Sequence, residues 1–276
     1  MARISEHNIT PILEAAEQWK DHCLAAPGSI FTEEQIWTDE LLGQFEEHFV
    51  KKPDFGEDDF FTKWEKQVKA GDQRLSKLSA EILWLYYLFP SNVMHKTKVD
   101  QICKVYGWSG DKLDPKHPML EALRTGVGSA GMGYNLRRPE EVEYLFKVVT
   151  AFRKLDASKQ GALLKEPWDF SNWLDSFSGS IDDPNRIFRH ILVFLLFPDQ
   201  MERIASKNHK VKIVQQWRDL AKDAPIEAED SDLVALDKRL LTIRQKLEEE
   251  ASGEPVDFYY DRWFPAWDPK AIKGAE

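Results

Sequence analysis

The sequence predicts an all-α fold: a multi-helix bundle built from two copies of a related helical unit, with an extended aromatic C-terminal arm. Three observations carry that expectation. Apolar residues recur at three-to-four spacing through most segments, the period of a helix face. No alternating run bounded by hairpin signals appears, and there is no βαβ rhythm. One pattern occurs twice: FTKW at 61–64 then ILWLYYLFP at 82–90, and FSNW at 170–173 then ILVFLLFP at 191–198. Phe61 and Phe170 stand 109 residues apart, and Pro90 and Pro198 stand 108 apart, so a one-residue gap reconciles the copies. A recurrence at fixed offset argues for one supersecondary unit used twice.

Taken in order, the first helix is expected over 11–26, with Thr10 as N-cap and Pro11 at the first helical position. A second is expected over 31–45, where Thr32 precedes two glutamates. Leu75, Leu78 and Ile82 extend the apolar run at 82–89 to helical length. PMLEALR at 118–124 reads as a short helix. Val142, Leu145, Phe146, Val149 and Phe152 form a stripe over 139–155, as Ile187, Phe188, Ile191, Leu192 and Leu195 do over 186–197. Both copies stop at Phe-Pro, because proline has no N–H to give and clashes with the preceding turn. The last long helix is expected over 231–251, on Leu233, Leu236, Leu240, Ile243 and Leu247. Loops are expected near 53–58, 107–118, 126–138, 178–184 and 223–230. The divisions follow as a first helical half at 1–125, a Gly-rich loop with a second half at 126–252, and the arm at 253–276.

Composition excludes several classes. Two cysteines, Cys23 and Cys103, make no CxxC pair and fit reduced thiols. No run approaches the ~20 apolar residues of a membrane span, so a cytoplasmic protein without a membrane partner is expected. The net charge of −10 argues against a surface that is basic throughout, yet allows a local basic face. The ten tryptophans read as core fillers between helices.

The chemistry-bearing motifs are few. Gly126, Gly128 and Gly131 in GVGSAGMGYNLRRP satisfy G-x-G-x-x-G on paper. A helix precedes the loop where a dinucleotide site needs a strand, and no Gly-Lys-Ser/Thr follows, so neither a Rossmann site nor a P-loop is present. Tyr134, Asn135, Arg137 and Arg138 follow at once: a stacking ring, an amide and two guanidiniums, suited to a phosphate or an extruded base. Lysine-rich stretches follow both LFP motifs, with Lys96 and Lys98 in the first and Arg203, Lys207, His209, Lys210 and Lys212 in the second. Lys98-Val99 aligns with Lys210-Val211. Such runs are commonly solvated helix faces, but their recurrence in an acidic chain points to phosphate contact. No HExxH, no GxSxG elbow and no Walker motif occurs, so no catalytic residue, metal ligand or cofactor is assigned.

The succession IWTDELL (36–42), AEILWLYYLFP (80–90), GVGSAGMGYN (126–135), EPWDFSNWLD (166–175), RHILVFLLFPDQMERIASKNHK (189–210) and VDFYYDRW (256–263) resembles the helical N-terminal region of McrB-type AAA+ ATPases. Those are the motors of modification-dependent restriction systems. The resemblance covers about 30 to 265 and implies a target-recognition region that binds DNA for a motor and a partner nuclease. It stops where a motor would begin, which leaves an N-terminal region of a longer chain or a stand-alone relative. The expected function is a non-catalytic module binding duplex DNA, modified or not, through the eleven residues from Lys96 to Lys212 named above. The alternative is a module recognising a phage or partner protein, which the −10 charge and the aromatic arm favour.

Overall fold

A computed structural model describes residues 8–54, 56–178, 186–221 and 232–268. Among them the regular structure is helical, with one isolated parallel bridge between Pro90 and Gly128 in place of any sheet. It forms two compact units, one of Pro11–Lys165 and one of Glu166 onward with the N-terminal residues up to Thr10. The division falls after Lys165 and not at 125/126, because the Gly-rich loop pairs with Phe89–Ser91 and so belongs to the first unit.

The first unit runs α1 (Thr10–Trp19), α2 (Asp39–Phe45), α3 (Phe60–Val68), α4 (Arg74–Tyr87), α5 (His95–Gly107), α6 (Pro118–Glu121), α7 (Met132–Leu136), α8 (Arg138–Arg153) and α9 (Ala157–Leu163). One-turn π-helical extensions follow α1 and α2, at Lys20–Leu24 and Glu46–Val50. α4 is the axis. Nearly its whole length is buried, which is why its sequence is apolar all round rather than striped. α2, α3, α5 and α8 pack around it.

Two expectations fail here. The helix foreseen over 31–45 begins only at Asp39, where Thr38 caps by accepting from the Leu41 N–H at 3.3 Å. Residues 25–38 instead form an irregular strap. Ser29 Oγ accepts from the Phe31 and Thr32 N–H groups, and the Trp37 indole donates to Glu81 at 2.6 Å. Those contacts outbid local helix propensity, which is worth only tenths of a kcal/mol, ~0.7 at most, for an ordinary residue. At the N-terminus the Thr10 N–H donates to Asn8 Oδ1 at 3.0 Å, so Thr10 is inside α1 rather than its cap.

The second unit runs α10 (Pro167–Ser178), α11 (Ile187–Leu196), α12 (Lys207–Gln216), α13 (Leu233–Glu250) and α14 (Trp263–Trp267). Helix, helix, Phe-Pro, helix is thus the order in each unit. The burial differs in detail: Trp64 is fully buried and Phe61 half-buried, whereas Phe170 is fully buried and Trp173 half-buried. The 108-residue offset also sets Glu81 against Arg189, and a four-residue insertion in the second copy sets Lys98 against Lys210, four charged residues that are all buried.

The C-terminal segment is not an extended arm. Val256, Phe258 and Trp267 join the core made by Ile213, Leu240, Ile243 and Leu247. The Trp267 indole donates to the Phe258 carbonyl at 2.6 Å. All but Ser178 of the loop foreseen at 178–184, the loop foreseen at 223–230, and the arm beyond Asp268 lie outside the described residues; Ser178 ends α10.

Candidate functional site

Pro90 explains the Gly-rich loop. In a continuing α-helix the N–H of residue 90 would donate to the Tyr86 carbonyl, and proline has none. The Tyr134 hydroxyl donates to that carbonyl instead, at 3.0 Å, and the Tyr86 hydroxyl donates to the Tyr134 carbonyl at 3.1 Å. The two rings stack in parallel, centroids 4.3 Å apart. Three residues on, the Phe89 carbonyl accepts from the Val127 and Gly128 N–H groups at 2.7 and 3.1 Å, and the Ser91 N–H donates to the Gly128 carbonyl at 2.9 Å. The loop is therefore the C-terminal cap of α4. In the second unit the Phe197 carbonyl is satisfied locally, by the Gln200 and Met201 N–H groups. This is why the Gly-rich loop has no counterpart there.

The glycines follow from this packing and not from an approaching ligand. Gly126 has φ +95°, and a Cβ there would lie 2.6 Å from the Pro90 carbonyl oxygen. Gly126→Ala is expected to lower unfolding free energy by about 2–4 kcal/mol, combining backbone strain with overpacking. Gly131, with φ +79° and open space around it, should lose only about 1 kcal/mol as alanine. Urea denaturation of both variants checks the ranking; equal losses would remove the close-approach explanation.

The eleven site residues separate sharply. Tyr134 is 0% exposed, Lys98 0% and Lys210 1%, so none of the three can meet a phosphate or a base. Each is spent inside. Lys98 Nζ is 3.4 Å from the Leu123 carbonyl, and burial pushes its ammonium down to about 8. Lys210 donates to Asp237 at 2.5 Å. Arg203 and His209 hold the C-terminal segment: Arg203 Nε donates to Asp257 at 2.6 Å, and His209 Nδ1 is 2.9 Å from the Tyr259 hydroxyl. Burial, with Lys212 nearby, keeps His209 below the usual imidazole range. Arg138 is half-buried among aromatic rings. The Asn135 amide oxygen is turned inward, 3.3 Å from the Tyr86 hydroxyl.

That leaves Arg137, Lys96 and Lys212 exposed and Lys207 half-buried. Lys96 pairs with Asp100 one turn on. The structure adds residues that spacing did not single out. Met94, Met132 and Leu136 are 75%, 82% and 80% exposed. Met132 and Leu136 stand four apart on α7 and so share a face. Residues 82–99 and 122–139, the two segments joined by the Phe89–Ser91 and Val127–Gly128 pairing, contain no aspartate or glutamate in a chain with 47 of them. That charge vacancy is visible in the sequence; 82–90 is buried in and just after α4, so the surface it leaves is made by the exposed residues of 91–97 and 122–139, which the pairing draws together.

Among the described residues no group of three or more His, Cys, Asp or Glu is placed to hold a metal, and no helix is long and apolar enough to cross a membrane. The chain matches no protein-family model, no curated protein and no solved structure.

Proposed function

We propose that this chain is a non-catalytic recognition module that binds duplex DNA, modified or unmodified, through the exposed parts of the two acid-free segments, α7 among them. One observation carries the reading: segments without acidic residues, bearing Arg137, with Lys96 and Arg124 paired to Asp100 and Glu121 just outside them, are pinned together beside a short helix in a chain of net charge −10. A polyanion is the partner that such a focused face suits. The McrB-type motifs support the same target and add the wider setting, a restriction system in which an AAA+ motor and a nuclease act on what this module holds. Lys207 and Lys212 on α12 are a separate candidate contact in the second unit.

Electrophoretic shifts with modified and unmodified duplexes, run from about 50 to 200 mM salt, test this. Phosphate contacts predict binding that weakens steeply with salt. Arg137→Glu is expected to weaken it roughly tenfold at the low-salt end, about what a lost contact and an added repulsion cost. No shift even at low salt would sink the DNA reading. A second reading then stands, recognition of a protein partner, favoured by the solvent-facing Met94, Met132 and Leu136.

A further inference from the structure

α7 has five residues, too few to hold a helix by its own hydrogen bonds. Its position is set by its anchors. Upstream, Gly128 pairs with Ser91; in the middle, Tyr134 clasps Tyr86. The downstream anchor is Arg138, the first residue of α8, reached through a corner at Arg137 with φ −105° and ψ 32°.

The surroundings of Arg138 are unusual for an arginine. Its guanidinium carbon lies 5.4 and 5.3 Å from the ring centroids of Phe60 and Phe61 on α3, and 5.5 and 5.8 Å from those of Tyr86 and Tyr87 on α4. Its buried Nε has no hydrogen-bond partner. Glu141, one turn along α8, is buried beside Tyr86. A guanidinium usually takes a carboxylate in a planar fork. Here four aromatic side chains surround the charge, through the attraction of a cation to the negative face of an aromatic ring and, at Tyr86 and Tyr87, through the hydroxyls as well.

The geometry points to Arg138 as a positioning residue, a cation–π latch that keeps α7, with Met132, Leu136 and Arg137, in its presenting position. Its functional meaning rests on the reading of α7 as the recognising surface; its existence does not. Hydrogen exchange on the protein alone therefore tests it, with two variants. Arg138→Met keeps the apolar stem and removes the charge. Amides of 127–136 should then exchange at least ~10-fold faster, while those of α4 and α5 change by less than about twofold, the mark of local opening. Arg138→Lys keeps a cation over the rings and should recover part of that protection. Unchanged exchange in Arg138→Met overturns the latch. So does a uniform rise across the unit, which would make Arg138 an ordinary contributor to stability, and so does Arg138→Lys exchanging as fast as Arg138→Met. Failure of the native protein to shift DNA would remove the proposed target and leave the exchange result to decide the latch.

Discussion

Asp237→Ala should lower the unfolding free energy of the second unit by about 3–5 kcal/mol, the cost of leaving buried charge without its partner. Asp237 on α13 accepts from Arg189 of α11 at 2.7 Å and from Lys210 of α12 at 2.5 Å. Arg189 reaches Asp175 of α10 through Nε and Nη2, both at 2.9 Å. One network of two cations and two anions thus ties four helices together. Burial opposes the ionisation of Asp237, but Lys210 and Arg189 outweigh it and hold the carboxyl below the usual range. Burial, partly offset by Asp237, holds the Lys210 ammonium down, so that ion is already expensive. With Asp237 gone, Lys210 loses its hydrogen-bonded carboxylate and is left with the weaker influence of Glu202, and Arg189 keeps only Asp175. Urea denaturation gives the loss; a change under about 1 kcal/mol would mean that water reaches the network. The quadruple variant Asp175→Leu, Arg189→Met, Lys210→Met, Asp237→Leu is expected to recover most of the loss, since apolar replacement of a whole buried network is often neutral. A consequence for mapping is that charge reversal at Lys210 would measure folding and not DNA contact.

The long helices were readable because burial gives them a regular stripe: α8, α11 and α13 begin and end within two residues of their expected limits. The buried lysines carried a signal of the same kind. Lys98 shares a face with Ile102 and Val105, and Lys210 with Ile213 and Val214, all buried. A lysine in register with an apolar stripe faces inward, and counting positive charge along the segment hides that. The strap at 25–38 and the clasp at Tyr134 had no such signal. Pro90 announces that the Tyr86 carbonyl lacks its donor, but which distant hydroxyl supplies one is settled by tertiary packing. The same holds for α7, whose five residues have no periodicity to detect. The surface that survives as a candidate interface is accordingly the part least visible along the chain, assembled from Met94, Met132, Leu136 and Arg137 only when the α4 cap is made.

Glu81→Gln should flatten the pH dependence of stability in the first unit. Glu81 lies at the centre of α4 and is fully buried. It accepts from the Ser29 hydroxyl, from the Trp37 indole at 2.6 Å and from the Cys23 thiol at 3.6 Å, and so fastens the strap to the core. Burial raises its carboxyl from 4.5 to about 7, against the pull of those donors. The folded state therefore binds this proton more tightly than the unfolded chain does. Its stabilising contribution is complete below pH ~4.5 and is lost as pH rises through about 7. Between pH 5 and 8 the loss amounts to roughly 2–3 kcal/mol, at ~1.4 kcal/mol per pKa unit. Glutamine keeps an acceptor for the indole and cannot ionise, so it escapes that slope; its buried amide N–H groups cost about 1–3 kcal/mol at every pH. The native protein should thus be the more stable of the two at pH 5, and the gap should close or reverse by pH 8. Urea denaturation of both proteins at the two pH values measures this. Parallel curves would show that Glu81 is ionised throughout, with the strap held by a carboxylate that its donors fully stabilise.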